Sequence, residues 1–315
     1  MDVMTAVEGG RIAGHRARDE FFWLDLAEPA AADIDALREA LDLHPMALED
    51  TREFGQRPKV DVYQDYVLVV FYTVRPSDEP ERVVETVETH VYVSGHWIVT
   101  VHRARLPLLE RLHDALAPAD TEEEDFLVYQ IFDGLTDAFF PAIRSIEERI
   151  DALEAHVLER PRRELLRTVY RRKQEVHELQ RLVAGQRDQF QTASAAIIDL
   201  TGLSVGSREY LRDVGDHLAQ IGGELQRQND DLTSLMGIYF NASAERVNRT
   251  ATRLSVVATF FVVWTLITGF FGQNFQWLVD NVESRTDFLI FGVGGLVIPT
   301  LVLATVLWIK RRDWF

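Results

Sequence analysis

Two runs without a charged residue close the chain, Leu254 to Val279 and Phe288 to Ile309, and Gly272-Gln273-Asn274 lies near the end of the first. Each run exceeds the roughly 20 helical residues that cross about 30 Å of hydrocarbon. Steps of three and four residues from Asn248 give Asn248, Ala251, Ser255, Ala258, Val262, Thr265 and Gly269, a small and partly polar face. The neighbouring faces carry Phe260, Phe261, Trp264, Leu266, Ile267 and Phe270. Small residues inward and bulky ones outward are what a pore-lining helix needs. The same face also suits close packing of two helices with no pore. Val262, and Leu254 beside the stripe, would form apolar constrictions in a ring of copies, which gate by dewetting.

Passage across a membrane is therefore the chemistry these residues offer, and other classes find little support. The nine histidines show no H-x-x-H or H-E-x-x-H pattern, and there is no G-x-x-x-x-G-K-[ST] loop for a nucleotide. The sequence is not that of an enzyme. Cysteine is absent, so there is no disulfide and no thiolate metal site. The 315 residues carry a formal net charge of −17, which argues against a nucleic-acid partner. A mean hydropathy of −0.09 is too polar for a protein that lives mostly in lipid. The first 250 residues or so thus read as a water-facing body, with no signal peptide visible at its start.

The elements that must position the stripe follow from periodicity. Residues 1–120 read as a cytosolic α/β domain: a helix over Ala31–Leu43, a strand over Lys59–Val74, and strands over Val83–Val93 and His96–His102 joined at Ser94-Gly95. Residues 121–207 read as long antiparallel helices, the first over Glu122–Leu158 and the second opening at Pro161. From Arg208 a heptad seam runs through Leu211, Val214, Leu218, Ile221, Leu225, Leu232, Leu235 and Tyr239, broken only at Gln228. That stalk, 208–253, continues into the first span, 254–275. Some 60 residues at 1.5 Å each make a rod of about 90–100 Å. An outer loop (276–287), a second span (288–309) and a basic tail (310–315) complete the chain. Lys310, Arg311 and Arg312 follow the second span, and Arg246, Arg249 and Arg253 precede the first. Basic residues stay inside, so both termini are expected in the cytoplasm, with the loop outside the plasma membrane. One hairpin of two spans cannot enclose a polar path, so conduction requires several copies around an axis.

The strings RPKVDVYQDYVLVV (57–70), REYLRDVGDHLAQI (208–221), DDLTSLMGIYFNASAERVN (230–248) and ITGFFGQNF (267–275), with the tail KRRDWF, resemble the CorA family of divalent metal ion transporters. The resemblance implies an α+β membrane protein assembled as a funnel-shaped homopentamer in the lipid bilayer. It implies channel-like uptake of Mg²⁺, with Co²⁺ or Ni²⁺ as further cargo. A Zn²⁺ transporter, proton-coupled or not, is the alternative, and a non-conducting membrane sensor or scaffold the second. The family's Gly-Met-Asn motif, here Gly272, Gln273 and Asn274, closes the pore helix at the outer mouth, and its Asn ring receives hydrated Mg²⁺. Mg²⁺ gives up its waters reluctantly, so amide oxygens that contact those waters suit it, and Gly272 would permit a sharp turn after the helix.

Three positions depart from the family's pattern. Gln273 replaces Met, Gln276 replaces a frequently acidic residue, and Gly237 stands where the stalk often carries an acid. Gln273 could add amide contacts or fill the space of Met. In the family, Mg²⁺ bound between cytosolic domains holds the pore shut. By resemblance Asp213 is the stalk candidate for that regulatory ion, with Asp216, Glu85 and Glu88 behind it. These carboxylates would otherwise solvate a helix face or pair with Arg208 and Arg212.

Overall fold

A computed structural model describes residues 2–116, 124–159, 162–200, 207–273, 276, 280 and 284–309. Two compact units divide the chain, Met1–Met236 and Gly237–Phe315. The first is built on a six-stranded sheet of order β1-β2-β6-β5-β4-β3. β1 (Asp2–Met4), β2 (Phe22–Ala27) and β6 (Trp97–His102) run parallel, whereas β5 (Val84–Ser94), β4 (Tyr66–Pro76) and β3 (Lys59–Val62) continue as an antiparallel meander. One face packs on α1 (Gly9–Arg18), α2 (Ala31–Leu41) and α3 (Pro45–Glu53) through Phe22, Leu24, Leu68, Tyr92 and Val99. The other face is covered by α4 (Pro107–Leu116), whose His113 packs on Trp23, and by α5 (Glu124–Asp137), α6 (Phe139–Glu159) and α7 (Arg163–Ile198), where Phe71, Phe132 and Phe190 meet edge to face at 5.2–5.9 Å. A sheet covered on both faces loses its polar-outward positions. This is why β4 is buried almost throughout rather than alternating.

The expected Lys59–Val74 strand is two strands, because residues 63–65 turn and send β4 back along β3. The expected helix over Glu122–Leu158 is also two, broken at Ala138. Pro141 explains the break: it has no N–H to offer and its ring presses on the carbonyl four residues back. Glu122, Pro161 and the loop 201–206 lie outside the described residues.

Polar side chains on α7 tie the helices to the sheet beyond the end of β3. Gln186 accepts from the Tyr72 N–H at 2.7 Å and donates to its carbonyl at 3.2 Å, doing for β4 what another strand would do. Glu175 accepts from the N–H groups of Val83 and Val84 at 2.7 and 3.1 Å and pairs with buried Arg172. Buried charges of this kind persist only when paired and hydrogen-bonded.

α8 runs without interruption from Ser207 to Phe271. Its seam residues Leu211, Val214, Leu218, Ile221, Leu225, Leu232, Leu235 and Tyr239 are all buried. Gln228 is buried with them and donates to the Ile143 carbonyl of α6 at 2.8 Å. Gly215, Gly222, Gly223 and Gly237 have nothing within 4 Å of where a Cβ would stand, so no close approach inside the described chain requires glycine there. In the second unit, α8 is followed by a helical turn at Arg285–Asp287, a π-helical turn at Phe288–Val293 and α9 (Gly294–Ile309). The segments Arg208–Phe270 and Arg285–Ile309 contain windows long and apolar enough to cross a membrane.

Candidate functional site

The stripe on α8 is laid out by helix period alone, and the structure shows which side of the helix it occupies. Asn248, Ala251, Leu254, Ser255, Ala258, Val262, Thr265 and Gly269 are all exposed in the single chain. Thr252, Val256, Phe260, Val263 and Ile267 form the half-covered stripe. The midlines of the two stripes lie about 130° apart around the helix. The second span packs on the side away from the small stripe, as the Trp264 Nε1 to Thr300 Oγ1 hydrogen bond of 2.8 Å establishes. The small face is thus left without a partner from its own second span.

Its chemistry grades along the helix. Asn248 offers an amide and Ser255 a hydroxyl, while Leu254, Ala258 and Val262 are apolar. The Thr265 hydroxyl donates to the Phe261 carbonyl at 2.7 Å, so its remaining lone pairs are acceptors. Acceptors that touch a cation's bound waters without stripping them suit a strongly hydrated ion.

At the top of the stripe, Gly272 N–H donates to the Thr268 carbonyl at 2.9 Å and Gln273 N–H to the Phe270 carbonyl at 3.2 Å. A Cβ on Gly272 would stand 3.1 Å from the Thr268 carbonyl oxygen. That approach is tight, so a side chain at 272 would need the neighbouring carbonyl to shift by a few tenths of an ångström, and no left-handed backbone is involved. Asn274 lies outside the described residues.

The regulatory candidates sort differently from expectation. Asp133 on α5 meets Asp213 and His217 on α8, with one ligand atom of each within 4.8 Å of the others. The imidazole stands between the two carboxylates, Nδ1 3.2 Å from Asp133 and Nε2 3.9 Å from Asp213. Tyr129 donates to Asp213 at 3.1 Å and stacks on Tyr210. Burial holds the Asp133 carboxyl above its ordinary range, and the charge of Asp137 one turn on adds to this. Asp133 and His217 are absent from the sequence-based candidates. The available signal was a pair of i, i+4 spacings, Asp133/Asp137 and Asp213/His217, on helices that turn out to face each other. Asp216 is exposed and stands outside this group.

Glu85 and Glu88 are engaged elsewhere. Glu85 pairs with Arg75. Glu88 accepts from the Gly55 and Gln56 N–H groups, from the Tyr72 hydroxyl at 3.0 Å and from His90 Nε2 at 2.8 Å. Burial alone would raise the Glu88 pKa, but the His90 hydrogen bond and the two backbone donors hold it below its ordinary value. Glu88 thus has four protein partners in this chain and Glu85 one.

The chain thus joins a sheet-based body to two helices long and apolar enough to cross a membrane, the first with a small stripe that the second leaves uncovered. The profile of the CorA-like Mg²⁺ transporter family matches residues 18–311, and the chain belongs to that family. The cobalt/magnesium transport protein CorA of Thermotoga maritima is 24% identical over 93% of this chain and 83% of its own. The zinc transport protein ZntB of Photorhabdus laumondii is 26% identical over 82% of this chain and 77% of its own. The complete structure of the CorA magnesium transporter from Methanocaldococcus jannaschii shares the fold, with a TM-score of 0.80 and 20% identity over 93% of this chain and 91% of that one. Transport of divalent cations is the function that membership in the family carries.

Proposed function

We propose that this chain assembles as a homopentamer whose α8 helices surround a channel-like path for Mg²⁺, with both termini in the cytoplasm. The observation that supports it is the uncovered stripe from Asn248 to Gly269, opposite the side on which the second span packs. A polar acceptor face in a hydrocarbon layer is stable only against water or other copies of itself. Gln273 and Asn274 would present amides at the outer mouth, and Asp280 and Asp287 would draw cations toward it. The Asp133–Asp213–His217 group is the seat we assign to a regulatory cation on the cytosolic side. Two carboxylates suit Mg²⁺, and the imidazole suits Co²⁺, Ni²⁺ or Zn²⁺ better.

Reconstitution into liposomes tests the reading, with uptake of Mg²⁺, Co²⁺, Ni²⁺ and Zn²⁺ measured with and without a pH gradient. Mg²⁺ flux independent of the pH gradient is expected. Zn²⁺ flux alone, dependent on protons, would move the chain to the zinc-transporting reading that its likeness to ZntB keeps in view. Absence of any divalent flux would leave a membrane-anchored sensor.

A further inference from the structure

Among the described residues, a side-chain hydrogen bond between the two spans joins Trp264 to Thr300 beside Pro299, a helix defect. Pro299 has no N–H, so the helical hydrogen bond it would have made is missing, and the π-helical turn at Phe288–Val293 loosens the same helix further toward its start. The Thr300 hydroxyl donates to the Leu296 carbonyl at 2.6 Å and accepts from Trp264 Nε1 at 2.8 Å. Both of its functions are thereby used, one on its own helix and one on the first span. An indole N–H facing hydrocarbon without a partner is costly, so breaking this bond carries a penalty within the bilayer. Trp264 immediately precedes Thr265 of the exposed stripe and lies about 150° around the helix from the stripe's midline. Any rotation of the first span that re-aims the stripe must therefore carry Trp264 across Thr300.

We infer that Trp264 and Thr300 form a rotational clamp that sets the angle at which the first span presents its stripe, Thr300 acting on the conducting face only through Trp264. This inference rests on the reading of the stripe as the pore face. The clamp makes the second span a reference post for the pore helix, with the softened segment around Pro299 allowing the post to yield.

Two measurements on the full-length protein test it. Trp264→Phe removes the donor and Thr300→Val the acceptor, while Thr300→Ser keeps the hydroxyl. In liposomes, both single variants are expected to change the maximal Mg²⁺ uptake rate in the same direction, by about three- to tenfold for an interhelical hydrogen bond in a membrane. The half-saturating concentration stays unchanged, the double variant shows no further change, and Thr300→Ser behaves as the parent. The second measurement does not depend on transport. The chain has no cysteine, so spin labels at Val257→Cys and Val306→Cys, both exposed, report the distance between the spans, with labelled chains diluted among unlabelled ones. The distance distribution should broaden in Trp264→Phe and Thr300→Val and remain narrow in Thr300→Ser. Unchanged distributions, or single-variant effects that multiply in the double variant, overturn the clamp. An inactive parent with the expected broadening keeps the clamp and removes the transport reading.

Discussion

At the scale of single residues, carboxylates that look alike in the sequence differ in what surrounds them. Glu88 is saturated by four donors, whereas Asp133 is half-buried beside another acid, Asp137, and opposite His217. A carboxyl whose folded pKa is raised contributes most to stability when protonated, below its unfolded pKa, and loses that contribution as pH rises through its folded value. At neutral pH, Asp133→Asn should therefore raise the melting midpoint of the metal-free protein. The same substitution should weaken Mg²⁺ protection of that midpoint. A lower midpoint without metal, together with unchanged protection, would show that Asp133 is an ordinary structural acid. Asn274→Ala tests the other end: selective uptake should be lost while the melting midpoint is kept. Unaltered selectivity would sink the amide ring.

Individual elements show what periodicity can and cannot deliver. The α8 seam was legible residue by residue, because a 3–4 repeat of apolar side chains has one geometric solution. The interruption at Gln228 was legible as well, though not its use: its Nε2 reaches the Ile143 carbonyl while its Oε1 is buried without a partner. Such a half-satisfied amide costs stability and pins the register of α8 on α6. Gln228→Leu should raise the melting midpoint by several degrees in full-length protein, and a fall would mean the bond outweighs the stranded oxygen. The parallel strand β2 escaped assignment, since Phe22-Trp23-Leu24-Asp25-Leu26 is buried on both faces and places an acid among them. Asp25 is acceptable there because Thr100 donates to it and His102 Nε2 stands 3.0 Å away, which only the folded sheet reveals. The Asp133–Asp213–His217 group is illegible for the same reason: its two spacings acquire meaning only once α5 lies against α8. The stripe on the first span, by contrast, needed nothing beyond one helix, and its uncovered state is the part that required the structure.

For the whole molecule, the governing quantity is the driving force. On the proposed channel-like reading, flux follows the electrochemical gradient, and an inside-negative potential of 100 mV is worth about 4.6 kcal/mol for a divalent ion. At about 1.4 kcal/mol per tenfold, that is more than a thousandfold accumulation at equilibrium. A path left open would load a cell far beyond use, so a closing device responsive to the internal ion is a physical requirement of this reading. α8 carries both the stripe and, near its other end, Asp213 and His217. An ion that binds one arrangement of α5 against α8 better than another must bias that arrangement. In liposomes loaded with millimolar Mg²⁺, the parent should take up tracer slowly under an imposed potential. The Asp213→Ala, His217→Ala double variant should take it up about as fast as the parent does in Mg²⁺-free liposomes. If internal Mg²⁺ slows the variant as strongly as the parent, the cluster is not the sensor, and the acidic surface elsewhere in the first unit becomes the place to search.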